Sequence, residues 1–149
     1  MITEGVQQIL TVLYPLYKEE VYKRREQMIR LTIFGALGLV AMLCALLLGP
    51  QKHRLLPHEA LLMGFAGVIW CVLFCALIIQ QQYRHRLAKQ ILVRLEQALG
   101  FYEEGLFVDH QALYPDGWKT AWLQDRSGAL YLSALCLLTA VFLLALLFD

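Results

Sequence analysis

The chain has 149 residues, of which 59% are hydrophobic and 17% are charged, and its formal net charge at pH 7 is +1. A typical soluble domain is about 45–50% apolar and about 25% charged, so this composition excludes an ordinary soluble globule and a disordered chain. The balanced charge also argues against a nucleic-acid-binding protein, because such proteins carry a basic excess.

Three apolar segments, at residues 31–49, 60–80 and 128–148, contain no Asp, Glu, Lys, Arg or His. A helix needs roughly 20 mainly apolar residues to cross the hydrocarbon core, and lipid gives the backbone no other hydrogen-bond partner. The sequence therefore predicts an all-α integral membrane protein with three transmembrane helices, long cytoplasmic helical extensions and a small aromatic-rich cytoplasmic segment. The first span begins too far from Met1 for a signal peptide, so we expect an unprocessed chain.

Basic residues are distributed unevenly around these spans. Five Lys and Arg residues lie in segment 1–30 and six in segment 81–127, but only two lie in the short loop 50–59. The positive-inside rule places the basic segments in the cytoplasm. We therefore expect a cytoplasmic N-terminus, an outer loop at 50–59 and an outer C-terminus.

Segment 1–30 has helical periodicity before the first span. Apolar residues repeat at spacings of four, three and four, which is typical of one helix face. These residues are Val6, Leu10, Leu13 and Tyr17. Pro15 predicts a kink or a break near Tyr14, because proline removes a helical hydrogen bond. Glu20 and Arg24 are spaced as an i,i+4 ion pair.

Segment 81–100 continues the second span as a helix. Its apolar residues fall four apart, and they form a candidate interaction surface made of Leu87, Ile91, Leu95 and Leu99. Gly100 is the natural end of this helix, because glycine readily adopts the left-handed conformation that closes one. We expect the stripe either to pack on the N-terminal helix as an antiparallel hairpin or to contact a partner or a second copy.

Segment 101–127 is rich in aromatic residues. Tyr114, Pro115, Asp116 and Gly117 are typical of a turn. Trp118 and Trp122 lie one helical turn apart, just before the third span. Tyr114, Trp118 and Trp122 therefore form either an aromatic belt at the lipid headgroups or a folded cap that contacts a partner.

Small residues at short spacing mark candidate helix-packing positions within the spans. They are Gly35 and Gly38 in the first, Ala60 and Gly64 in the second, and Ala129 and Ser133 in the third. Such residues let helix backbones approach closely, either within one chain or between chains.

Residues that bear chemistry are few. All four cysteines lie within the spans, where a thiol is more often an apolar filler than a ligand; they are Cys44, Cys71, Cys75 and Cys136. His53 and His58 share the outer loop and could bind a metal together, although two ligands are weak support. Because no catalytic motif is present, we expect no enzymatic activity, no cofactor and no metal.

The plan of a basic N-terminal helix, a tight two-span hairpin and a basic cytoplasmic helix over residues 16–99 resembles the SLATT group of bacterial two-span proteins. This resemblance is topological, and it implies a membrane effector in the inner (plasma) membrane of a bacterium. The aromatic segment and the third span depart from that plan. We expect a non-enzymatic assembly or accessory subunit that binds lipid, a second copy or a larger membrane complex. The alternative is an oligomeric pore-forming or membrane-perturbing effector.

Overall fold

The computed structural model describes residues 4–48, 56–119 and 126–148. Three long helices occupy most of these ranges: α1 is Glu4–Leu48, α2 is Pro57–Ala98 and α3 is Ser127–Phe148. Each contains a stretch long and apolar enough to cross a membrane. The expected all-helical chain with three helices of spanning length is confirmed.

The sequence predicts a kink or a break near Tyr14; helix α1 runs through Pro15 without interruption, so the predicted break is wrong. Proline removes only one hydrogen bond from a helix of 45 residues, and Pro15 itself is exposed. Tyr14 and Tyr17, on either side of it, pack against a buried apolar cluster shared with α2. Tertiary packing therefore holds the helix together where local sequence alone favours a break.

Both ends of α2 carry the residues that helix ends require. At its start, the backbone N–H of Leu56 donates to the Glu59 carboxylate at 3.0 Å, and Pro57 takes the first helical position. At its end, Gly100 has a φ of 77°, and the N–H of Phe101 donates to the carbonyl of Glu96 at 3.0 Å. This is a Schellman closure, and it ends the helix where Gly100 predicts.

The chain divides into two compact units. The first, which we call the amphipathic unit, comprises Met1–Glu26 and Gln82–Arg126. The second, which we call the apolar unit, comprises Gln27–Gln81 and Ser127–Asp149. Because α1 and α2 are continuous, each helix contributes one end to each unit.

The core of the apolar unit draws on all three helices. Its buried residues include Leu39 from α1, Ile78 from α2 and Leu135 from α3. Phe142 of α3 is also fully buried. Most other side chains of this unit point outward, and they are large and apolar, as expected for helices whose outer surface faces lipid.

The amphipathic unit is an antiparallel helix pair. Val21 of α1 packs with Ala88 and Leu92 of α2, and Tyr14 and Tyr17 extend the contact. The same face of α2 also buries polar side chains, namely His85, Lys89 and Glu96. The two arginines beside His85, Arg84 and Arg86, favour the interpretation that His85 is a solvated residue of a basic surface. The structure shows instead that His85 is part of the packed face.

Candidate functional site

The leucine stripe of segment 81–100 is divided between two faces of α2. Leu95 is 9% exposed, whereas Leu87 and Ile91 are 43% and 38% exposed. Leu99 is half-buried. A four-residue step advances about 40° around a helix of 3.6 residues per turn, so such a stripe drifts away from the packed face.

The packed face instead follows alternating steps of three and four, through His85, Ala88, Leu92 and Leu95. The opposite side of α2 presents an exposed row that we call the α2 face: Tyr83, Leu87 and Ile91. Arg84, Arg86 and Arg94 are exposed around it. Residues 83–94 contain four basic residues and no acidic one, so this apolar face lies in positive surroundings.

A second exposed row lies on α1. Ile9, Val12 and Leu16 follow spacings of three and four, and Val12 is 64% exposed. We call these three residues the α1 face. Glu19 is exposed close by along the helix, and the neighbouring Glu20 pairs with Arg24, as their spacing predicts. The charged residues close to the α1 face therefore include acidic ones.

Sequence reasoning missed the α1 face. It selected Leu10, Leu13 and Tyr17, which are half-buried, and Val6, whose side chain lies outside the described part of the chain. The available signal was the second apolar row on the other side of the same helix. A helix that is apolar on two sides has one side left over when it packs against a single neighbour.

Phe101 lies at the centre of an aromatic cluster that we call the aromatic cap. Its ring makes edge-to-face contacts with Tyr14 at 5.3 Å, Tyr114 at 5.5 Å and Phe107 at 5.6 Å between centroids. Trp118 packs on Tyr114 at 5.3 Å. The backbone N–H of Tyr114 also donates to the Phe101 carbonyl at 2.9 Å. The described part of the aromatic segment is thus folded onto itself and onto α1.

Polar groups within the cap are paired. The Tyr102 hydroxyl donates to the Glu96 carboxylate at 2.7 Å, and the Lys119 ammonium lies 4.3 Å from the centre of the Tyr102 ring. Burial, together with this hydrogen bond, raises the pKa of Tyr102 above its ordinary value. Burial and a 3.2 Å hydrogen bond to Tyr114 likewise raise the pKa of Tyr14.

The predicted turn lies one residue later than expected. The N–H of Trp118 donates to the Pro115 carbonyl at 2.9 Å, so the turn covers 115–118 and not 114–117. Gly117 is not among the positive-φ glycines, because a helical turn begins there. Trp118 remains 49% exposed, and Trp122 lies outside the described residues.

The small residues of the spans have different environments in the apolar unit. A Cβ atom on Gly38 would lie 2.5 Å from the Trp70 ring, and one on Gly35 would lie 3.0 Å from Phe74. The Trp70 indole N–H also donates to the Gly35 carbonyl at 3.1 Å. These two glycines therefore let large aromatic side chains of α2 lie directly on the α1 backbone.

The other small residues are less enclosed. Ala60 and Gly64 line an apolar groove of about 450 Å³ between α2 and α3, which also includes Leu143 and Leu146. Ala129 and Ser133 are exposed on α3. They are accordingly available to lipid or to a neighbouring chain.

Three of the four cysteines come together in the apolar unit. The Sγ atoms of Cys71, Cys75 and Cys136 all lie within 4.8 Å of one another. The spacing of Cys71 and Cys75 indicates a shared helix side, but no spacing pattern predicts that Cys136 of α3 joins them. Cys44 is exposed on α1. Of the two histidines predicted to share the outer loop, His58 is exposed in the first turn of α2 and His53 lies outside the described residues.

Comparisons with protein families, curated proteins and solved structures found no match for this chain. Because no relative suggests a function, a function is inferred from the structure alone. Its relevant features are the α1 and α2 faces, the aromatic cap and the thiol cluster formed by Cys71, Cys75 and Cys136.

Proposed function

We propose that this chain is a non-enzymatic integral membrane protein that builds a larger assembly by binding copies of itself through its amphipathic unit. The apolar parts of its three helices cross the membrane, and the amphipathic unit lies in the cytoplasm. Support for this orientation comes from the eleven Lys and Arg residues flanking the inner ends of the spans, against two in the loop between the first two spans. The inner membrane of a bacterium fits this plan.

Reporter fusions test the orientation. A reporter that is active only outside the cytoplasm, fused after Asp149, is expected to be active, whereas the same reporter placed before Glu4 is expected to be silent. Activity of a cytoplasmic reporter at Asp149 would contradict the proposed path of α3.

The observation that supports self-assembly is the pair of exposed apolar faces in the unit that lipid would not cover. Monomeric soluble surfaces rarely leave contiguous apolar rows uncovered, and such rows mark contact sites. Here they are the α1 face, centred on Val12, and the α2 face, centred on Leu87. Both lie outside the three spans predicted from the sequence.

Charge favours a second copy as the occupant of each face. The surroundings of the α2 face are basic, through Arg84, Arg86 and Arg94. The α1 face has an exposed acidic neighbour in Glu19, whereas Glu20 is already paired with Arg24. Two α2 faces would repel each other, whereas an α1 face of one copy complements the α2 face of another. This contact is head-to-tail, so it propagates until a ring closes.

The hydroxyl groups of the spans make the alternative of an anion-conducting pore less favourable. Thr32 donates to the Met28 carbonyl at 2.9 Å, and Thr139 donates to the Leu135 carbonyl at 2.8 Å. Ser133 also donates to a carbonyl of its own helix. Hydroxyl hydrogens used in this way are not available to solvate a passing anion.

Two single substitutions test the head-to-tail contact. Ile91→Glu alters only the α2 face and Val12→Glu alters only the α1 face, and both residues are exposed, so each variant is expected to fold. A carboxylate forced into an apolar contact costs several kcal/mol, so we expect each variant to associate at least about 100-fold more weakly. Gln97→Glu is the matched control, because it adds the same charge to α2 away from the apolar row.

Mixing the two variants gives the decisive measurement. Each retains one intact face, so the mixture is expected to form a heterodimer that neither variant forms alone, detected by light scattering in mild detergent. If mixing restores nothing while both variants remain folded, the contact is not head-to-tail. If the wild-type chain is monomeric in native membranes by crosslinking, or if it conducts ions in liposomes, self-assembly through these faces is refuted as its function.

A further inference from the structure

We infer that the thiol cluster of Cys71, Cys75 and Cys136 is a binding site for a soft monovalent metal ion of the Cu(I) class. The first support is geometry. The Cys71 and Cys75 sulfur atoms lie 3.9 Å apart on one side of α2, and Cys136 brings a third sulfur from α3. Thiolates bonded to one metal ion at about 2.3 Å lie about 3.8–4.0 Å from each other, so little movement is needed to enclose an ion.

The donor set selects the metal. Sulfur donors favour soft ions such as Cu(I) over magnesium, calcium or manganese, which require oxygen. Structural zinc sites hold four ligands in a tetrahedron, whereas the described part of the chain brings three cysteine sulfurs together here. Cu(I) accepts two or three sulfur ligands, so these three donors satisfy it.

The charge of the ion also favours Cu(I) over a divalent ion, and this argument rests on the proposed membrane location. Net charge within a bilayer is costly. When one Cu⁺ replaces one thiol proton, the site gains one thiolate bond, releases one H⁺ and stays neutral, while the other two thiols donate lone pairs. A divalent ion would need two thiol protons to leave and a fourth ligand to enter.

The three cysteines differ in exposure. Cys71 is buried, Cys75 is half-buried and Cys136 is exposed. The fourth cysteine, Cys44, is exposed on α1, and this makes it a matched control within the same unit.

The test uses the full chain, purified anaerobically in detergent and titrated with Cu(I) against a Cu(I)-specific chelator. We expect one Cu(I) per chain, with an affinity that rises about tenfold per pH unit while the free thiols are protonated, since one proton is released per ion. Cys136→Ala and Cys75→Ala are each expected to weaken binding at least tenfold. Cys44→Ala is expected to leave it unchanged.

Three results would overturn the site: equal Cu(I) affinity in Cys136→Ala and wild type, equal loss in Cys44→Ala, or zinc bound as tightly as Cu(I). Circular dichroism checks that each variant is folded, and Cys136→Ser replaces Cys136→Ala if the alanine variant is not. Carbonate extraction of native membranes is measured separately. Release of the chain by carbonate would refute membrane integration, whereas the Cu(I) titration tests the thiol geometry whatever that result.

Discussion

Gly38→Ala is expected to destabilise the apolar unit, although alanine normally improves a helix. The new Cβ atom would lie 2.5 Å from the Trp70 ring, which is rigid and must shift. Overpacking of this kind costs about 1–3 kcal/mol. The shift of the ring also breaks the indole hydrogen bond to the Gly35 carbonyl, which costs about 0.5–1.5 kcal/mol of stability in addition. The better helix propensity of alanine offsets about 0.5–1 kcal/mol of this loss of stability.

Gly64→Ala is the matched control for this prediction. It makes the same change in the same unit, but its Cβ atom would lie 3.7 Å from Leu143, which is an ordinary contact. It therefore gains helix propensity without overpacking. Gly38→Ala should be less stable than Gly64→Ala by about 1.5–4.5 kcal/mol, the sum of the packing and hydrogen-bond costs.

The assay is reversible unfolding by SDS in mixed micelles, followed by far-ultraviolet circular dichroism. The two variants are then compared again in a Trp70→Leu background, where the clash is removed and the difference should shrink. If Gly38→Ala and Gly64→Ala unfold at the same SDS fraction, or if their difference is unchanged without the indole, then Trp70 does not lie on Gly38.

Two further predictions concern the amphipathic unit. Gly100→Ala and Gly105→Ala both place alanine at a φ of 77°, which destabilises the fold by about 1–2 kcal/mol each. At Gly100 the new Cβ would also lie 2.5 Å from Leu106, whereas nothing lies within 4 Å of a Cβ at Gly105. Thermal unfolding is therefore expected to rank wild type above Gly105→Ala and Gly105→Ala above Gly100→Ala, and equal melting of the two variants would contradict the contact. Because the pKa of Tyr102 is raised in the folded chain, its contribution to stability is present below its ordinary pKa of about 10 and is lost as the pH rises above it. When the pH is raised from below 10 to above 10, the unfolding free energy of Tyr102→Phe should therefore fall less than that of wild type. Equal decreases in the two proteins would exclude the titration of Tyr102 as a cause.

Local sequence determined the helices of this protein and their ends. The three apolar segments are continuous stretches of the chain, and the pairing of Glu20 with Arg24 and the closure of α2 at Gly100 depend on residues within one or two helical turns. Interactions of this range can be inferred from spacing alone. Pro15 is the exception, because the packing of Tyr14 and Tyr17 keeps the helix intact.

Only the tertiary structure decided which helix faces are buried and which residues from different helices meet. The four-residue spacing of Leu87, Ile91, Leu95 and Leu99 fits a stripe, yet α1 covers only part of it, because the position of a neighbouring helix selects the buried face. The meeting of Cys136 with Cys71 and Cys75 depends likewise on how α3 rotates and slides along α2. In helices that are apolar all round, hydrophobicity does not fix that rotation, which is set by side-chain packing between helices.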